Sequence, residues 1–106
     1  MENILANIPE QMPEELFTCI LQHNNLKIER IVSRGHASPN DEWYDQDHQE
    51  WILLIQGEAE LEFADKSQLV KLQAGDYLLI PAHCKHRVNR TNPEKDTIWL
   101  AIHFDS

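Results

Sequence analysis

The chain has 106 residues and carries 18 acidic against 9 basic side chains, for a formal net charge of −9. A chain of this length can build one modest hydrophobic core, which predicts a single domain. The negative charge argues against nucleic acid and anionic membrane as partners, because both require clustered cations. The first cation is Lys27, so the sequence begins without the basic region of a secretory signal, and we expect a cytoplasmic protein.

The first third of the sequence predicts an irregular segment followed by a β-hairpin. Residues 1–15 contain Pro9 and Pro13 in an acidic setting, which indicates a loop or a short helical turn. Strands are expected at 16–21 and 26–33, joined by a turn whose asparagines tolerate positive φ.

The segment from Trp43 to Gly57 joins a polar cluster to a bulky apolar run. The run Trp51–Ile55, closed by a glycine, predicts a strand buried on both faces. Glu50 lies at its edge, where a carboxylate must stay hydrated, find a partner or shift its pKa, because burying a bare charge is costly. We expect its partner to be His86, which lies in a second polar cluster.

The second half of the sequence predicts further short strands separated by turns. Glu58–Phe63 alternates, with apolar side chains pointing inward and three glutamates pointing to water. Strands are also expected at 68–72, 77–80 and 97–104. Since no segment shows a sustained helical period with caps, we predict an all-β sandwich or barrel that spans 16–106.

Two spacings in the sequence resemble the paired motifs of the cupin family, a small jelly-roll barrel. The first is Glu50–Gly57, with six residues between its ends, and the second is Gly75–His86, with Pro81 between them. The resemblance covers Gly35 to Asn89 and is to small single-domain bacterial cupins. It implies a single-domain jelly-roll β-barrel that binds a small molecule and forms a homodimer.

The same resemblance implies a metal site, although metal-binding cupins usually carry two histidines shortly before the motif glutamate and this sequence has neither. Glu50 and His86 would meet inside the barrel, as a carboxylate and an imidazole suited to iron, zinc or manganese. Gln46 would complete the site where the second histidine usually lies, and His48 and His83 are less favoured ligands. The expected cofactor is one divalent transition metal (Zn, Fe, Mn or Ni), and the alternative is a metal-free pair of Glu50 and His86.

The position of His48 depends on how residues 44–50 fold. If they form one strand, His48 and Glu50 share a face and can chelate together. If Asp47–Gln49 is a hairpin loop, His48 lies at its exposed tip. The polar, turn-prone composition favours the hairpin.

Residues 77–93 contain no carboxylate, which is unusual in so acidic a chain. They contain Lys85, Arg87 and Arg90, and a local positive patch can direct an anionic ligand towards a pocket. Arg87, Arg90 and Tyr44 are therefore candidate ligand-binding residues. The alternative interpretation is a solvated strand edge with its usual cations.

Three functions stay open at this point. The protein is a small-molecule-binding cupin with a metal held by Glu50 and His86, a metal-free binding or sensing module, or a metal-free isomerase or lyase. In the last of these, His86 is the catalytic general base and Glu50 orients it. The sequence assigns no role to His23, His36 or His103.

Overall fold

The computed structural model describes residues 1–39, 42–65 and 68–105, and these residues form an all-β fold. Its eight strands, in chain order, are β1 (Leu16–His23), β2 (Leu26–Ser33), β3 (Gln49–Gln56), β4 (Glu58–Phe63), β5 (Gln68–Gln73), β6 (Tyr77–Ile80), β7 (His86–Thr91) and β8 (Thr97–Phe104). Among the described residues, no helix is long and apolar enough to cross a membrane.

The strands form two antiparallel sheets that pack face to face. The larger sheet has the order β1-β2-β8-β3-β6, and the smaller has the order β5-β4-β7. The core between them includes Ile52, Leu54, Leu61, Phe63 and Trp99. This architecture confirms the predicted all-β fold and is consistent with a jelly-roll barrel.

Alternation along the strands decides which side chains reach the interior. In β4, Leu61 and Phe63 are buried, as the pattern predicted. In β3, Glu50, Ile52 and Leu54 are buried, whereas Trp51 on the opposite face is half-buried. The expectation that β3 is buried on both faces therefore holds only for its inner face, because the smaller sheet covers that side alone.

Residues 1–15 contain neither helix nor strand, and the segment lies against β2. The buried guanidinium of Arg30 donates hydrogen bonds to the carbonyl oxygens of Ile4 (3.1 Å) and Ala6 (2.6 Å). Arg34 donates to the carbonyl oxygen of Glu10 at 2.6 Å. These bonds tie the irregular segment to the outer face of the larger sheet.

Gly57 makes the turn between β3 and β4. Glycine is required there both because the backbone has a positive φ and because a side chain would collide with Thr97. Its φ is +93°, and a Cβ at this position would lie 2.7 Å from the Cα of Thr97. Since an L-residue disfavours this φ and the neighbouring atom is backbone, only glycine lets β4 leave β3 so closely. The turn fixes where the inner face of β4 begins.

Candidate functional site

A cavity of about 160 Å³ lies between the inner faces of the two sheets. Its apolar lining comes from Phe17, Ile31, Ile52, Leu61, Ile80, Val88 and Trp99. Its polar lining comes from Glu15, Glu29, Tyr44, Gln46, Glu50, His86 and His103. A concave, mainly apolar space with a few converging polar groups is the usual form of a small-molecule site.

Glu50 and His86 meet in this cavity, as the motif spacing implied. Glu50 Oε1 lies 3.8 Å from His86 Nε2, and the two side chains are only 9% and 7% exposed. His86 Nδ1 lies 2.9 Å from the carbonyl oxygen of Cys84, and because that oxygen can only accept, Nδ1 must donate. In the neutral ring Nε2 therefore presents a lone pair to the cavity.

The separation of 3.8 Å is too long for a hydrogen bond between the two groups. Among the described residues, no donor lies within hydrogen-bonding distance of the carboxylate of Glu50. A buried carboxylate normally accepts two or more hydrogen bonds, because its desolvation is otherwise uncompensated. The carboxylate of Glu50 therefore faces the cavity, where a molecule inside the barrel can donate to it.

Tyr44 holds the segment before β3 against His86. The backbone N–H of Tyr44 donates to the carbonyl of His86 at 2.7 Å, and the N–H of His86 donates back at 3.1 Å. Burial, and then the nearby carboxylate of Glu15, raise the pKa of the Tyr44 hydroxyl. The single strand considered for residues 44–50 does not form, because Tyr44 makes only this isolated bridge and β3 begins at Gln49.

A second acid–imidazole pair lines the cavity, and the sequence interpretation missed it. His103 Nε2 donates to Glu29 Oε1 at 2.8 Å, and both side chains are largely buried. This hydrogen bond lowers the pKa of Glu29 and raises that of His103. In the register of β3 and β8, His103 lies directly opposite Glu50, so the negative charge of Glu50 raises the pKa of His103 further.

The pair continues outward through His48. His103 Nδ1 lies 2.9 Å from His48 Nε2, so one proton is shared between the two rings. His48 lines a second, outer pocket, and Gln46, Glu29 and His103 line both spaces. Two consecutive hydrogen bonds, Glu29–His103 and His103–His48, therefore connect the cavity wall to the outer pocket.

A signal for this chain is present in the strand patterns. Glu29 lies on the same face of β2 as Ile31, and His103 lies on the same face of β8 as the buried Trp99 and Ala101. A polar residue that keeps the parity of core residues is a candidate for the interior. The sequence alone does not show that β2 and β8 are neighbours.

The other candidate ligands lie at different depths. Gln46 lines the cavity, and its carbonyl oxygen accepts the backbone N–H of His83 at 2.7 Å. His83 has a φ of +62°, its side chain is 73% exposed, and it faces Asp45 rather than the cavity. His48 matches neither alternative, because it follows a bend yet is held by His103 instead of lying at an exposed tip.

The predicted cationic patch is neutralised by the neighbouring strand. Arg87 pairs with Glu62 at 3.1 Å and donates to the carbonyl oxygen of Ser38 at 2.9 Å. Arg90 pairs with Glu58 at 3.4 Å on the surface. Neither arginine lines the cavity, so the structure does not bring them together with Glu50.

The donor set gives limited support to a metal. Glu50 and His86 offer one oxygen and one nitrogen, and Gln46 is a weaker ligand for a transition metal. Within the described residues, no group of three or more histidine, cysteine, aspartate or glutamate side chains could hold an ion. Catalytic metals usually have three protein ligands, so an ion held here would need Gln46 as the third ligand beside Glu50 and His86.

Comparisons with known proteins agree with this fold. A family model described as a cupin domain matches residues 30–103. A solved structure from Ralstonia eutropha JMP134, named a "putative mannose-6-phosphate isomerase", is 40% identical with a TM-score of 0.95, and the match covers 100% of this chain and 98% of that chain.

More distant structures share the architecture. A cupin superfamily protein from Desulfitobacterium hafniense DCB-2 is 21% identical with a TM-score of 0.76, over 93% of this chain and 84% of that chain. The polyketide cyclase RemF from Streptomyces resistomycificus is 14% identical with a TM-score of 0.74, over 89% and 67%. Identities this low show the fold alone. The comparison with functionally curated proteins gives no match.

The pair of Glu29 and His103 predicts a characteristic pH dependence of stability. The lowered pKa of Glu29 stabilises the fold above its ordinary value of 4.5, and this contribution is lost as the pH falls through the folded-state pKa. The raised pKa of His103 stabilises the fold below its ordinary value of 6.5, and this contribution is lost as the pH rises through the folded-state pKa. Both contributions are therefore complete between pH 4.5 and 6.5.

We expect His103→Gln to lower the free energy of unfolding by about 1.5–3 kcal/mol in that window, because it removes a hydrogen bond between charged groups. The loss should shrink on both sides of the window. Urea denaturation from pH 4 to 9 measures it, with His23→Gln as the exposed control. A loss that is the same at every pH would contradict the assignment.

Proposed function

Because the chain belongs to the cupin family, whose members bind small molecules, we propose that it binds a small organic molecule inside its barrel, with Glu50 and His86 as polar anchors. The observation that supports this is the buried carboxylate of Glu50, which receives no hydrogen bond from the described residues. A ligand that supplies the missing hydrogen bond would offset the cost of burying this group. The apolar walls around it suit the rest of such a molecule.

The tautomer of His86 favours catalysis as a second function of the same site. Its Nδ1 is committed to the carbonyl oxygen of Cys84, so the bare Nε2 is oriented to remove a proton from a bound molecule. The carboxylate of Glu50 would stabilise the imidazolium that forms. An isomerase or lyase that moves a proton on a small molecule needs at least such a general base and a group that stabilises its protonated form.

The relative from Ralstonia eutropha makes a sugar-phosphate isomerase a specific candidate. The charge of the cavity argues against it. Glu15, Glu29 and Glu50 line the cavity, and no lysine or arginine of the described chain does. A phosphate group would meet three carboxylates there, against the positive charge that the raised pKa of His103 favours, so we do not carry the expected anionic ligand into the proposal.

The first test is a nuclear magnetic resonance titration with small fragments of all three charge classes and with mannose 6-phosphate. We expect fragments to shift the indole signal of Trp99, which lies in the cavity wall. Val88→Phe fills the cavity and should abolish the shift, whereas Leu69→Phe, on the exposed side of β5, should not. Fragments that shift only residues outside the cavity, or that bind Val88→Phe equally well, would contradict the proposal.

The competing proposal is a divalent transition metal held by Glu50, His86 and Gln46. When bound, such an ion would supply Lewis-acid or redox chemistry, and these three residues would serve to hold it. Because only two of them are strong donors, we expect protein purified without a histidine tag to contain well under one metal ion per chain. Elemental analysis giving one ion per chain, lost in Glu50→Ala and in His86→Ala, would favour the metal instead.

We also propose that the protein is a homodimer, covered along the edge strand β1. Phe17, Ile20 and Leu21 on this strand are 54%, 49% and 49% exposed, and an apolar edge strand needs cover in solution. We expect sedimentation to give twice the mass of 12.4 kDa. Ile20→Lys should shift the protein towards the monomer, whereas Leu69→Lys, on an equally exposed residue of the smaller sheet, should not. A monomer at every concentration would contradict the dimer.

A further inference from the structure

The two polar anchors of the cavity are both hydrogen-bond acceptors. The carboxylate of Glu50 can only accept when it is ionised. His86 donates through Nδ1 to the carbonyl oxygen of Cys84, so Nε2 of the neutral ring accepts as well. Two acceptors 3.8 Å apart cannot satisfy each other. A ligand that completes both of them must therefore supply at least two N–H or O–H donors at this point.

A single nitrogen atom can meet both acceptors. Because Glu50 Oε1 and His86 Nε2 are 3.8 Å apart, one nitrogen atom can lie about 2.9 Å from each of them and donate a hydrogen bond to both. A primary ammonium group has three N–H bonds, so it can donate to Glu50 and to His86 and has a third donor left for another acceptor in the cavity. A hydroxyl group donates only once, and a carboxylate or phosphate does not donate when ionised.

The charges that face this point favour a cation. Glu15 is engaged with the hydroxyl of Ser33, and Glu29 is engaged with His103 and Lys27. The carboxylate of Glu50 has no such direct partner in the described part of the chain, and its neighbours are His86 and the positive charge on His103. A cation at Glu50 would compensate a buried negative charge, whereas an anion would add a second one.

The walls around the anchors define the rest of the molecule. Ile52, Leu61 and Val88 line the cavity and have no hydrogen-bond donor, whereas Trp99 in the same wall has its indole N–H. An aliphatic chain of a few carbons would bury apolar surface against these side chains. The indole of Trp99 can also stabilise a neighbouring cation through its ring face.

We propose that the cavity binds a small aliphatic primary amine, with its ammonium group seated between Glu50 and His86. This inference rests on the proposed function, because it assumes that the cavity binds a ligand at all. It adds the chemical class of that ligand. The phosphate of a sugar phosphate would add negative charge to a lining that already contains Glu15, Glu29 and Glu50, whereas an ammonium group would offset it.

The test uses three probes that each contain four carbon atoms and differ in the charge of the head group, namely n-butylammonium, n-butanol and butyrate. Calorimetry at pH 7, with the indole signal of Trp99 as the reporter of location, should rank their affinities in that order. We expect n-butylammonium to bind roughly tenfold or more tightly than butyrate, because only the ammonium forms charge-assisted hydrogen bonds with Glu50.

Glu50→Gln removes the charge but keeps the shape of the side chain, and it should weaken n-butylammonium binding roughly tenfold. Glu58→Gln makes the same change of net charge outside the cavity, where Glu58 pairs with Arg90, and should leave the affinity unchanged. Equal effects of the two substitutions would overturn the inference, because they would show that net charge rather than the anchor attracts the amine.

The probes also separate this inference from the proposed function. If butanol or butyrate bound in the cavity more tightly than n-butylammonium, the proposal that the ligand is an amine would be wrong. The proposal that the cavity binds a small molecule would still stand. If none of the three probes shifted the indole signal of Trp99, and no fragment of the first screen did so, both proposals would fail together.

Discussion

The buried carboxylate of Glu50 is the constraint on which the rest of the site depends. It lies in β3, which is hydrogen-bonded to β6 on one side and to β8 on the other. The paired positions are Ile80 and His103, so the strand cannot move its acid to solvent without breaking a sheet on both sides. A polar group held in this way costs stability in the empty protein. Proteins usually retain such a cost at functional sites.

The cavity contains two acid–imidazole pairs that differ in one physical respect. Glu29 and His103 are in direct contact at 2.8 Å, and their pKa values move apart as expected for an ion pair. Glu50 and His86 are 3.8 Å apart and leave room for a third atom. The first pair is satisfied within the protein, whereas the second is open to a ligand. This difference is the reason why we propose Glu50 and His86, rather than Glu29 and His103, as the ligand-binding pair.

The sequence predicted the fold well because alternation is a local property. In Glu58–Phe63, the buried side chains can be identified without knowing which strand lies alongside. The meeting of Glu50 and His86 was also predictable, since the spacing of two motifs implied neighbouring strands. The pair of Glu29 and His103 was not, because it depends on β2 lying beside β8, a pairing of residues more than 70 positions apart.

The stretch without carboxylates, residues 77–93, was also misinterpreted because the sequence does not show which strands are neighbours. Along the chain, Arg87 and Arg90 have no acidic neighbour, which suggested a free positive patch. In the fold, β4 lies beside β7 and supplies Glu62 and Glu58 across the sheet. Charge in a β protein is balanced between strands rather than along them. The strand order must therefore be known before a positive patch that is predicted from sequence can be assigned to an anionic ligand.

The chain from Glu29 through His103 to His48 connects the charge of the cavity to the outside. The negative charge of Glu50 helps to hold a proton on His103, which lies opposite it in β8. A cation bound at Glu50 would compete with that proton for the same carboxylate, because two positive charges beside one negative charge repel each other. His48 offers the displaced proton a path to the outer pocket. If the proposed cation binds at Glu50, its binding would therefore be linked to release of a proton from His103.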